Sequence, residues 1–145
     1  MATSRESARD ALVTLLSAAL VGTGKPVKTV SGSKVESLEG ATPLVVVLSR
    51  GSERERLTFQ GDRATFYMVI QTWVLQSASG WTQAQAEDAV DSIEALIAAT
   101  LEANQGTANW EILAYEGRST ILEAVVAGVP YYVETTPIAV RLARS

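Results

Sequence analysis

The chain has 145 residues, of which 47% are hydrophobic and 19% charged, and its net charge is −4; this length suits one globular domain. It contains no cysteine and no histidine, which excludes disulfide bonds, thiolate metal sites and the commonest catalytic base. The acidic balance disfavours tight binding to nucleic acid. We therefore expect a protein that is not an enzyme and uses no cofactor or metal.

The first predicted element is an amphipathic helix over about residues 4–20. Thr3 and Glu6 have the spacing of a capping box, and apolar residues follow at helical intervals until Gly22. Charges of both signs in this segment do not fit an export signal, and no apolar run approaches the ~20 residues that span a bilayer. We expect a soluble protein that is made in the cytoplasm.

The next segment, residues 23–42, is rich in Gly, Ser, Thr and Lys and predicts a long excursion with room for one short strand. Three β-branched or alternating segments follow, separated by turn signals at Gly51 and Gly61, which predicts an antiparallel meander. The three strands are expected at residues 43–50, 53–60 and 63–75.

In the second half of the chain, Thr82 and Gln85 form another capping box, and apolar residues at helical spacing predict a helix over 82–103. Three more strands are expected at residues 110–115, 120–126 and 131–144, the last interrupted or bulged near Pro137. The order α-β-β-β-α-β-β-β predicts an α+β fold. We expect a single domain, residues 1–145, in which both helices pack on one face of an antiparallel sheet.

The segment RATFYMVIQTWVL, residues 63–75, is apolar on both faces when read as a strand. A strand in a solvated sheet normally alternates apolar with polar residues. The helices can cover one face, so the other requires a separate explanation. Aromatic residues are enriched in buried interface centres, which makes this strand a candidate contact surface.

Acidic residues on the second helix are the nearest approach to a catalytic pair. Glu87 shares a helical face with Asp91 and Glu94, and Asp88 is adjacent. We interpret this face as solvated, because paired catalytic carboxylates need unequal, partly buried environments.

Two polar stretches allow other interpretations. GTGKP at residues 22–26 lacks the phosphate-loop pattern and is interpreted as a helix stop. In SRGSERER at residues 49–56, alternation places Arg54 and Arg56 on one face and Glu53 and Glu55 on the other. This strip could face a partner or could keep an edge strand soluble, and both interpretations stay open.

Taken together, the elements resemble a family. RDALVTLLSAAL, TPLVVVLSR, ATFYMVIQTWVL, AEDAVDSIEALIAATL and WEILAYEGRSTILEAVVAGVPYYVETTPIAVRLA occur in that order. Nearly the whole chain resembles the tail terminator (tail completion, minor tail) proteins of long-tailed bacteriophages. The resemblance implies a hexameric ring that caps the tail tube, ends tail polymerisation and offers the surface for head–tail joining, in the tail or neck of the virion.

Partners follow from this resemblance. It implies contacts with other copies of the chain, with the tail tube protein and with a head-completion or connector protein, while DNA passes through the lumen without specific binding. Six copies at −4 each would carry −24, and an acidic channel would repel DNA. The candidate subunit-interface residues are Tyr67, Val69, Trp73, Tyr131 and Tyr132. The candidate contacts to adjacent rings are Lys25, Lys28, Lys34, Arg50, Glu53, Arg54, Glu55 and Arg56.

Two other functions compete with this one. The first is another neck component, such as a head-completion or connector-joining protein. The second is a monomeric α+β module that binds a ligand or peptide, with the apolar face of residues 63–75 as its groove.

Overall fold

The computed structural model describes residues 4–33, 42–56, 62–76 and 82–144. Two helices and six strands make an α+β fold, as the sequence predicts. In chain order the elements are α1 (Arg5–Leu20), β1 (Thr29–Ser31), β2 (Leu44–Arg56), β3 (Asp62–Leu75), α2 (Gln83–Ala103), β4 (Ile112–Tyr115), β5 (Thr120–Val126) and β6 (Val129–Arg144).

Both helices begin at a reciprocal capping box, which satisfies backbone donors of the first turn. In α2 the Gln85 backbone N–H donates to Thr82 Oγ1 at 3.4 Å, and the Thr82 N–H donates to Gln85 Oε1 at 2.7 Å. This confirms the predicted box. In α1 the box is formed by Ser4 and Ser7, one position after the predicted pair. The predicted Thr3 lies outside the described residues.

The first half of the sheet differs from the predicted meander. The expected turn at Gly51 is wrong, because β2 continues through it with a bulge between Ser49 and Gly51. The expected strand at 53–60 is therefore the end of β2 as far as Arg56, and residues 57–60 lie outside the described part. Gly51 has a φ of 139°, a backbone conformation that favours glycine and that the bulge requires.

The sheet is mixed, so the prediction of a purely antiparallel sheet is wrong. β1 is the short strand expected in the excursion, and it pairs in parallel with β2, with Thr29 opposite Leu44. A parallel pair needs a crossover connection of about a dozen residues or more, and residues 32–43 provide a connection of that length. All other strand pairs are antiparallel.

β6 organises the other half of the sheet. The strand order is β1-β2-β3-β6-β4, and β5 also pairs with β6. Along one side β6 pairs with β3 from Tyr131 to Arg144. Along the other side it pairs first with β5, as far as Thr135, and then with β4, starting at Ile138.

The predicted interruption at Pro137 is also wrong, because β6 is continuous and Pro137 keeps its register with Val69. The Pro137 carbonyl accepts a hydrogen bond from the Glu116 N–H at 2.9 Å. In a strand the nitrogen and carbonyl of one residue point to the same side, so the missing N–H of Pro137 lies in the gap between the β5 and β4 ladders. A proline is tolerated there because no ladder needs its donor.

The core lies between the helices and one face of the sheet, which we call the helix face. On β3 the helix face carries Ala64, Phe66, Met68, Ile70, Thr72 and Val74, and the opposite open face carries Thr65, Tyr67, Val69, Gln71, Trp73 and Leu75. The helices contribute Ala8, Leu12, Leu16 and Leu20 from α1 and Ala86, Val90, Ile93, Ile97 and Leu101 from α2. This confirms that both helices cover the same face. Within the described ranges, no helix is long and apolar enough to cross a membrane.

The two helices lie over different parts of the sheet. In α1, Arg9 Nη1 donates to Ser49 Oγ of β2 at 3.0 Å. In α2, the Glu87 carboxylate accepts from the hydroxyl of Tyr132 of β6. Arg9 of α1 thus lies near the β1–β2 end of the sheet, and Glu87 of α2 lies near β5.

Candidate functional site: an apolar edge strand beside an acidic groove

Most of the large apolar side chains that remain exposed in the described residues lie on β5 and at the start of β6. Leu122 is 62% exposed and Val125 is 71% exposed, and Ile121, Val126 and Val129 are also exposed. Among the described residues, β5 pairs with β6 alone, so the N–H and C=O groups on its outer side are open. An exposed apolar edge strand is a template for pairing with another chain.

The turn before β6 and the register with β6 decide on which face of the sheet each side chain of β5 lies. The hairpin turn between β5 and β6 is made by Ala127 and Gly128, both with positive φ, as in the two-residue turns that match strand twist. The register with β6 places Ile121 and Val125 on the helix face and Leu122 on the open face. Both faces of β5 are therefore apolar, and neither is buried.

An acidic groove separates β5 from α2. A cavity of about 210 Å³ is lined by Glu87, Val90, Asp91, Ile121 and Tyr132. The Tyr132 hydroxyl donates to Glu87 Oε1 at 3.2 Å. Burial raises the pKa of the Tyr132 hydroxyl, and the negative charge of Glu87 raises it further. The groove thus combines apolar walls with carboxylates.

Glu134 of β6 lies under the same region and is only 5% exposed. Ser119 Oγ donates to Glu134 Oε2 at 2.8 Å, which favours the ionised carboxylate. Burial acts more strongly in the opposite direction and raises the pKa of Glu134, and the nearby acids Glu94 and Asp91 also raise it. Negative charge is therefore crowded on this side of the molecule.

A second cavity, of about 370 Å³, lies farther along α2, beside β4. It is lined by Ala98, Leu101, Glu102, Gln105, Leu113, Ala114 and Tyr115. Tyr115 is exposed, whereas its neighbour Leu113 is buried in the core. Burial of the hydroxyl, followed by the charge of Glu94, raises the pKa of Tyr115. Acidic residues of α2 therefore lie beside both cavities.

Most of the predicted interface residues lie on the open face. Val69 is buried and Tyr67 half-buried on β3. Trp73 is half-buried and packs edge to face on Tyr131, while its Nε1–H donates to Gln71 Oε1 at 3.3 Å. The structure therefore brings Trp73 and Tyr131 together.

Tyr132, by contrast, is on the helix face and joins the core. It is separated from the other four predicted interface residues by the thickness of the sheet. Tyr67 has its own electrostatic environment, because burial and then the charge of Glu53 raise the pKa of its hydroxyl.

The predicted ring-contact residues fall around β1 and β2. Arg50, Glu53, Arg54 and Glu55 are exposed along the outer part of β2. The register puts Glu53 on the open face and Arg54 on the helix face, as the alternation predicts, and the Arg54 guanidinium lies 5.6 Å from the Phe66 ring centroid.

The remaining ring-contact candidates are lysines and the end of β2. Lys25 donates from Nζ to the carbonyl of Ala18 at the end of α1, and Lys28 precedes β1 and is exposed. Arg56 is the last residue of β2. Lys34 lies outside the described residues.

β5 is an exposed apolar strand that the sequence predictions did not single out. The signal was available, because TILEAVV is apolar on both faces with Glu123 as its one charged residue. β5 is about half as long as the strand of residues 63–75, so its apolar pattern is less conspicuous in the sequence. No site of three or more metal-ligating side chains occurs in the part of the chain that the structure describes.

A scan against models of protein families found no match, and a search of curated proteins likewise found no relative.

Proposed function

We propose that this protein is a structural component of a bacteriophage tail and catalyses no reaction. In this proposal it is a tail terminator that forms a ring, caps the tail tube and offers a surface to the head. The observation that carries the proposal is the exposed apolar edge of β5, with Leu122 and Val125 in solvent. Such an edge needs a partner, and further copies of the same chain can provide one in a closed ring.

The whole-chain resemblance gives the proposal its biological context. In the sequence, the order of the predicted elements and the long polar excursion resemble those of the tail terminator family, and an α+β fold with two helices on one sheet face supports the proposal. In this proposal the ring is hexameric, the tube protein and a head-completion or connector protein bind its two ends, and DNA passes through without specific contacts.

The open face of β3 supplies a second surface. Tyr67 and Trp73 are half-buried in the isolated chain, and their remaining exposed area is available for contact with a neighbouring subunit. Aromatic side chains contribute strongly at such contacts because they are large and rigid.

The test has two measurements. Mass photometry and negative-stain microscopy of the purified protein should show rings, or rings should form when tail tubes of the same virion are added. Tubes polymerised with the protein should be shorter and should carry a ring at one end. Tubes whose length and ends are unaffected would contradict the terminator function.

A second candidate function is a monomeric module that binds an extended peptide. The same open edge of β5 favours it, because an unpaired strand accepts a peptide by strand addition. A protein that stays monomeric at every concentration and in the presence of tubes would support this module over a ring. A ring located nearer the capsid in particle images would instead indicate a neighbouring neck component.

A further inference from the structure

The sheet ends in two flanks with opposite charge. The α1–β2 flank, residues 4–33 and 42–55, has six basic and four acidic side chains, a net charge of +2. The α2–β5 flank, residues 82–126, has eight acidic and one basic, a net charge of −7. These flanks lie at opposite edges, because β1 and β2 end the sheet on one side and β4 and β5 end it on the other.

Each flank also contains a strand edge that, over part of its length, pairs with no other described strand. β5 pairs with β6 alone within the described ranges, and β1 covers β2 only between Leu44 and Val46. From Val47 to Gly51, no described strand pairs with the outer side of β2. Two open edges of opposite charge in one molecule are complementary between successive copies.

We infer that copies of this chain dock head to tail, the α2–β5 flank of one against the α1–β2 flank of the next. This inference rests on the self-association in the proposed function and deepens it by naming the two surfaces. A head-to-tail contact is heterologous, because the two subunits use different surfaces. Repeating this contact gives a closed ring when the rotations between successive subunits add up to a full turn. Charge complementarity selects this pairing over the alternatives and sets its register.

A two-fold contact between two β5 strands is the main alternative, and charge opposes it. Antiparallel pairing about the middle of β5 would set Glu123 opposite its own copy, which is destabilising. It would also bring together the two grooves that carry Glu87 and Asp91. The opposite flank, with Arg50 exposed at the bulge, carries the complementary sign.

The test uses charge reversal on exposed side chains. Arg50→Glu and Glu123→Arg should each raise the protein concentration at half-assembly about tenfold or more, because each creates a like-charge contact. Mixing the two variants should restore assembly, since each then meets a complementary flank. The double variant in one chain should also assemble. Asp10→Lys, which makes the α1–β2 flank more basic, is the matched control and should not weaken assembly.

Three results would overturn the inference. If the single reversals assemble like the unmodified protein, or if neither the mixture nor the double variant recovers, the flanks are not the contact, although ring formation itself would stand. If the unmodified protein assembles no further than a two-fold dimer, the contact is not head to tail. If the unmodified protein never self-associates, alone or on tubes, the ring of the proposed function fails as well.

Discussion

Trp73 and Tyr131 meet edge to face across β3 and β6, with ring centroids 6.0 Å apart and ring planes at 69°. Trp73 is opposite Val133 and Tyr131 is opposite Leu75, so the two rings are diagonal neighbours on the open face. Diagonal positions are within reach of aromatic side chains. This aromatic contact on the open face forms within a single chain and does not require a neighbouring subunit.

A double-mutant cycle measures this pair. Trp73→Leu and Tyr131→Leu should each destabilise the fold, and the coupling energy between them should be about 0.5–1.5 kcal/mol. Urea unfolding of the unmodified protein, the two single variants and the double variant gives the four free energies of unfolding that the cycle needs. Additive effects would show that the edge-to-face contact contributes no stability.

Trp73→Ala tests the role of the same side chain in assembly. The sequence predicts that this change weakens oligomerisation and leaves the fold largely intact. Because Trp73 is half-buried against Tyr131, we also expect a measurable fall in the free energy of unfolding. Mass photometry and urea unfolding separate the two effects, and an alanine variant that cannot fold as a monomer would make Trp73 a core residue.

Leu122→Ser addresses the exposed edge directly. Leu122 is 62% exposed, so the free energy of unfolding should change by no more than about 0.5 kcal/mol, while self-association weakens. Leu96→Ser removes an exposed leucine from α2 in the same flank and compares the helix with the strand. Equal loss of assembly in both variants would mean that the α2–β5 flank as a whole, and not the β5 edge in particular, drives association.

Gly51→Ala tests the bulge in β2. Gly51 has a φ of 139°, so alanine should destabilise the fold by about 1 kcal/mol or more. Gly32→Ala is the control: a Cβ there would lie 3.5 Å from the Arg9 and Val13 side chains, an ordinary contact distance. In thermal unfolding, the melting temperature of Gly51→Ala should be well below those of Gly32→Ala and the unmodified protein.

Glu134 gives the stability a defined pH dependence. Burial, together with Glu94 and Asp91, raises its pKa in the folded state, so the folded protein holds this proton more tightly than the unfolded chain. The contribution of Glu134 is therefore most favourable below its ordinary pKa, and it is lost as the pH rises through the raised folded-state value.

Glu134→Gln should remove the loss of stability that Glu134 causes as the pH rises. Glutamine can still accept the hydrogen bond from Ser119, so the variant should be more stable than the unmodified protein at neutral pH and closer to it in acid. Urea unfolding across the acidic range measures the difference. A variant that is less stable at neutral pH would mean that the carboxylate is stabilising where it lies.

The sequence predicted best where local chemistry decides the structure. Thr82 and Gln85 fix the start of α2 through side-chain hydrogen bonds to nearby backbone, and helical spacing fixes the side that packs. A glycine in a polar run fits a turn and a bulge equally well, so the sequence around Gly51 does not decide between them. The partner strand decides between them, and that pairing is a long-range property.

The candidate site was harder to predict for the same reason. The exposure of β5 depends on where α2 ends its coverage of β6, which no short stretch of sequence encodes. The opposite charges of the two flanks are present in the sequence, but their separation in space depends on a strand order in which β6 lies between β3 and both β4 and β5.

The change of partner along β6 has a mechanical consequence. Because β5 and β4 are attached to β6 by separate ladders on either side of Pro137, one can detach while the other stays closed. Amide hydrogens of Thr120–Val126 should then exchange with solvent through a local fluctuation that leaves the frame of β2, β3 and β6 undisturbed. β5 can therefore change its orientation relative to β2, β3 and β6 without loss of core packing.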